Sequence, residues 1–136
     1  MVRATRRADP ARGGCVRSDR GDTSVEIALY APLMLLAVMV IVQAVTWGLA
    51  DLSARHAANH GLQTARVHGA TAAEGQRVAA DLLEEINPRG LTDVAIEVDR
   101  DEVSTTVTVT GNALQVIPVI TIPIQAQAHG PTEPAG

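Results

Sequence analysis

Between Glu26 and Asp51 the chain runs for 24 residues, IALYAPLMLLAVMVIVQAVTWGLA, without a charged side chain. As a helix rising about 1.5 Å per residue it would extend roughly 36 Å, enough to cross a hydrocarbon core near 30 Å. Only Gln43 and Thr46 within it are clearly polar. The 86 residues that follow hold no Phe, Tyr or Trp, so they lack the large rings with which a small domain could enclose such a segment. Ile27–Ala50 therefore reads as a transmembrane helix. Pro32, in its first turns, removes one backbone bond to the Ala28 carbonyl and predicts a mild helix kink. Trp47, toward the far end, suits a membrane interface.

Arginine placement sets the expected orientation, because positive residues close to a span resist translocation. Six arginines precede the span (Arg3, Arg6, Arg7, Arg12, Arg17 and Arg20), opposed before Gly21 only by Asp9 and Asp19. After the span, five arginines face eleven acids. The expectation is a single-pass protein of the cytoplasmic membrane, N-terminus cytoplasmic and C-terminal part extracytoplasmic, with the lipid bilayer as its first partner.

Composition narrows the function classes. The single cysteine, Cys15, excludes a disulfide framework and a zinc site of the CxxC type. With a net charge of −4, no lysine and two aromatic residues, the chain lacks the basic patch and stacking rings of nucleic-acid binding. There is no GxSxG, no phosphate-binding glycine loop with Lys and no HExxH, so no enzyme activity and no cofactor are expected. His56 and His60, four apart on one helix face with His68 beyond, are the nearest approach to a metal site, but a third ligand at that spacing is missing. Asp81, Glu84 and Glu85 read as a solvated helix face, and Asp99, Asp101 and Glu102 as turn acids.

Two processing readings compete at the N-terminus. An ordinary secretory signal would be cut after the small-x-small site Gly48-Leu49-Ala50, releasing or anchoring an extracytoplasmic binding module. Its apolar region should span only about 7 to 15 residues, and this one is longer. The second reading starts at Arg20-Gly21-Asp22-Thr23-Ser24-Val25-Glu26, where a glycine is followed at the fifth position by a glutamate that opens the apolar run. With Val25-Glu26-Ile27-Ala28-Leu29-Tyr30-Ala31-Pro32 added, the segment resembles the signature of TadE-like pseudopilins, components of the tight-adherence (Flp) pilus machinery. The resemblance covers Arg20 to about Trp47, with Ile27 in place of the usual Phe, Asp22 at the first mature position and no second copy of the motif.

That resemblance implies a structural protein of a tight-adherence or related secretion fibre, associated with sibling pilin or pseudopilin subunits and a pilus assembly platform. It implies cleavage by a prepilin peptidase between Gly21 and Asp22, which would remove all six leading arginines. Glu26 would then lie four residues from the new amine, where a carboxylate can pair with it or with a neighbouring subunit's amine. Thr23-Ser24-Val25-Glu26 also fits a T-x-x-E capping box, which would satisfy a helix start without any further role.

The full expectation is a membrane-anchored α+β protein with four parts: an Arg-rich leader (1–21), a pilin-like segment with the transmembrane helix (22–50), an extracytoplasmic helix plus β head (51–128), and a flexible tail (129–136). The span's helix should run on from Asp51 to a break at Gly69. A second helix should start at the capping box Thr71-Ala72-Ala73-Glu74, present Val78, Leu82 and Ile86 on its apolar face, and end at Asn87-Pro88-Arg89-Gly90. Alternation through Val94, Ile96 and Val98, a turn at Arg100-Asp101-Glu102 and Val103–Thr110 predict a β-hairpin. Gly111-Asn112 reads as the next turn, and Ile120, Ile122 and Ile124 as a third strand that Pro118 and Pro123 confine to an edge. The apolar run Val116–Ile124 has two readings, a core strand or an exposed edge that docks another subunit.

Overall fold

The computed structural model describes residues 20–133, with side chains from Val25 onward. Cys15 and all but the last two residues of the leader lie outside the described residues, as do the last three of the chain. The order of elements is α1 (Arg20–Ala65), α2 (Ala72–Ile86), β1 (Leu91–Arg100), β2 (Ser104–Ala113) and β3 (Pro123–Pro131). The strands form one antiparallel sheet in the order β1-β2-β3, and the architecture is α+β. Among the described residues the chain divides into two units, with the boundary between Met34 and Leu35.

Helix α1 is 46 residues long and carries Pro32 inside it. From Ile27 to Leu49 its large apolar side chains are exposed, Leu29 at 70% and Leu35 at 63%, except Met39, which is half-buried. From Ala50 the same helix changes character: Ala50, Ala54, Ala57, Ala58, Gly61, Leu62 and Ala65 are buried. This small-residue face lets α2 approach closely. A methyl group on Gly61 would meet the Gly75 carbonyl oxygen at 2.9 Å, and one on Gly75 would meet the Ala65 methyl at 2.6 Å, so two glycines set the crossing.

Helix α1 ends at Ala65, four residues before the expected break, and Gly69, with a φ of +78° that a glycine adopts without steric cost, lies in the connection that follows. Helix α2 opens with the expected capping box: the Glu74 amide donates to Thr71 Oγ1 at 3.2 Å and the Thr71 amide donates to Glu74 Oε2 at 2.8 Å. Its buried face is Gly75, Ala79 and Leu83, one residue round from the predicted Val78, Leu82 and Ile86. Close approach to α1 puts the smallest side chains, not the bulkiest, at the contact.

In the sheet, Thr105, Val107 and Val109 of β2 and Ile124, Ala126, Ala128 and Gly130 of β3 face the helices and are buried. The opposite face presents Thr106, Thr108 and Thr110 beside Gln125, Gln127 and His129. Three corrections to the sequence reading follow. Gly111-Asn112 lies within β2, opposite a bulge between Thr92 and Ala95, not in a turn; the glycine admits Leu91, whose Cδ2 would lie 3.0 Å from an added methyl. The third strand is Pro123–Pro131, and Val116–Ile120 belongs to the loop before it. Pro123 does mark an edge strand, and of the run with two readings, Ile124 is buried and Ile122 packs against the core. Finally, the strand runs past His129, where a tail was expected, and the Glu133 amide then donates to the Arg66 carbonyl at 3.0 Å.

Candidate functional site

Two places on α1 carry polar chemistry inside an apolar surface. The first is the segment singled out by motif. Gly21 and Asp22 lie in the first turn of α1, so the peptide bond between them is helical, and Glu26 sits one turn on from Asp22. Thr23 lies within the helix and not at its start, so it is not an N-cap, a position that needs non-helical backbone; the capping-box reading of Glu26 is thereby corrected. Glu26 is exposed between Val25, Leu29 and Tyr30, which are exposed at 60%, 70% and 56%. A carboxylate among exposed apolar side chains is suited to meet a cation. Pro32 follows six residues later on the same helix.

The second place is Gln43, which sequence reasoning passed over as one of two polar exceptions. It is 5% exposed and makes three hydrogen bonds to the loop between β2 and β3. Its Nε2 donates to the Leu114 carbonyl at 3.2 Å, and its Oε1 accepts from the amides of Val116 at 2.8 Å and Ile117 at 3.1 Å. Met39 and Thr46 on the same stripe are half-buried, and Ala50 next along it is fully buried. The stripe 39, 43, 46, 50 follows i, i+4, i+7, i+11, the spacing of one helix face. The signal that could have found Gln43 was its isolation, since an amide in a long apolar run must be satisfied by something.

Beyond Ala50 no charged residue is buried among the described residues. Arg55 donates to Asp51 at 2.8 Å across one turn, and this bond raises the guanidinium pKa above its ordinary value. The hydrogen bonds from Thr71 hold Glu74 below the usual glutamate range. His56, His60 and His68 are exposed, and among the described residues no three His, Cys, Asp or Glu side chains cluster as metal ligands. Asp81, Glu84 and Glu85 are exposed along α2, and Asp99, Asp101 and Glu102 around the hairpin turn. A cleft of about 410 Å³ lies between α2 and β1, bounded by Leu83, Leu91 and Ile96, with Glu84 its sole ionisable lining group. One carboxylate without a partner does not make a general acid and base pair.

No family model, curated protein or solved structure matches the chain.

Proposed function

We infer that the protein is a non-catalytic, pilin-like membrane subunit, retained by α1 in the cytoplasmic membrane and acting in the assembly or capping of a tight-adherence or related secretion fibre. The observation that carries this reading is the packing of the extracytoplasmic part on both sides of Ala50. Gln43 bonds the β2–β3 loop, Ala50 is fully buried, and Ala54 and Ala57 continue the same face. Cleavage after Ala50 would strip the loop of its three bonds to Gln43 and remove part of the core. A disposable secretory signal has no reason to be built into the domain it delivers.

The apolar stretch of α1 is long and apolar enough to cross a membrane, as a membrane anchor or signal sequence is, and most of its large side chains are exposed. Outward bulky residues favour lipid or sibling helices as their surroundings. Within that frame Gly21–Asp22 is the bond a prepilin peptidase would cut, and Glu26 the carboxylate that would pair with the new amine, its own or a neighbour's. The partners are then the peptidase, other pilin or pseudopilin subunits, the assembly platform and the bilayer.

The test is the N-terminal sequence and intact mass of the protein from membranes of cells with and without the prepilin peptidase. The expected result is a start at Asp22 that reverts to Met1 when the peptidase is absent. A start at Asp51 would make the protein a secreted module and sink the reading. Met1 in both strains would remove the pilin-type processing and leave a plain anchor.

A further inference from the structure

We propose that the β2–β3 loop is a second membrane contact, with Val119 and its neighbours inserted among the acyl chains of the outer leaflet. This rests on the reading of α1 as a membrane anchor.

The depth of the loop follows from what holds it. Trp47 is the natural marker of the outer interface, and Arg89 lies beside Thr46 and Leu49, at the level where a guanidinium would meet lipid phosphates. Gln43 is four residues nearer the middle of the apolar run than Trp47, roughly 6 Å along the helix. Its three hydrogen bonds to Leu114, Val116 and Ile117 fasten the loop at that lower level. The loop therefore reaches past the plane of Trp47 and Arg89 into the zone that the helix itself fills with Val, Ile and Leu.

The chemistry of the loop fits that zone. No charged residue occurs from Val103 to Ala128. At the tip Val119 is 97% exposed and Ile120 44%, with Leu114 at 42% on the near side. Val119 adopts a φ of +81°, rare for a β-branched residue, which turns the tip outward where no part of the protein covers it. Backbone amides in hydrocarbon must be satisfied internally. Here the amides of Val116 and Ile117 donate to Gln43, that of Leu114 to the Gly90 carbonyl and that of Ile120 to the Ile117 carbonyl. Pro118 has no amide hydrogen, and the side chains of Gln115 and Thr121 bond each other. These bonds satisfy four of the loop's eight backbone amides within the protein.

The test uses the full chain with Cys15→Ser, reconstituted in phosphatidylcholine vesicles whose acyl chains are brominated. A bimane label is placed at Val119→Cys, at Ile120→Cys and, for comparison, at Val103→Cys, which is 80% exposed and lies the length of β2 away, about 30 Å. The expected result is quenching several-fold greater at 119 and 120 than at 103, with Trp47 of the unlabelled protein also quenched. Equal, weak quenching at the three label sites with Trp47 still quenched would overturn the loop proposal and leave the anchor standing; burial of the loop against another subunit would give this result. An unquenched Trp47 would overturn the anchor and the loop together. If Val119→Cys fails to fold, Ile120→Cys decides.

Discussion

One helix displays two packing regimes. Along Ile27–Leu49 its bulky aliphatic side chains are largely uncovered, whereas along Ala50–Ala65 its alanines, Gly61 and Leu62 are sealed. Hydrophobicity alone would assign the interior to the first stretch. The comparison teaches that along this helix side-chain size, rather than apolarity, decides which stretch meets the rest of the chain: small residues let backbones approach, and most of the large ones stay uncovered.

The largest expected effect comes from adding volume where the helices meet. Gly75→Val should destabilise the fold by about 3 kcal/mol, because its new methyls would meet Ala65 and the Gly61 carbonyl. Gly48→Val, with nothing within 4 Å of an added methyl, should leave the unfolding midpoint of the detergent-solubilised protein unchanged by circular dichroism. Equal losses would erase the contrast between the two regimes. Next, Val107→Ala, at a fully buried site, should cost roughly 2 kcal/mol, against no measurable change for Leu35→Ala in the same denaturation experiment.

Gln43 sharpens the comparison because it is the covered polar residue inside the uncovered stretch. Gln43→Leu leaves the Val116 and Ile117 amides without an acceptor, for a loss of about 1–3 kcal/mol. Hydrogen exchange should show faster exchange confined to the β2–β3 loop, while β2 and β3 keep their protection. The smallest effects lie farthest from the helix contact. Thr71→Ala should cost about 1 kcal/mol in thermal unfolding. Since Glu74 has its folded pKa depressed by the Thr71 bonds, its contribution is complete above the ordinary glutamate value and is lost as pH falls through the depressed one. The wild type should therefore lose more stability on acidification below about pH 4.3 than Thr71→Ala does.

Which features could be read from the chain follows the same division. The capping box at Thr71–Glu74 was legible because the groups that interact are neighbours in sequence. The hairpin was legible from alternation in Val94–Thr110. The buried face of α2 was not, since a search for large apolar residues selects Val78 and Leu82 and overlooks Gly75 and Ala79. The third strand was misplaced because Gln125-Ala126-Gln127-Ala128 has weak intrinsic strand preference and gains its place by pairing with Thr108 and Val109. At the site, Glu26 and Pro32 stood out by motif, whereas Gln43 has its partners about 70 positions away in sequence.

The order of strands has a consequence for biogenesis. Leu62, early in the chain, is covered by Gly130 of β3, and the amide of Glu133 bonds the carbonyl of Arg66. The meander itself is local and should pair quickly. The helix, however, waits for the last strand. A chain ending at Asn112 would lack β3 and leave Leu62 and the Arg66 carbonyl without the partners that Gly130 and Glu133 bring. Until that contact forms, apolar surface of the helix stays open to non-native association.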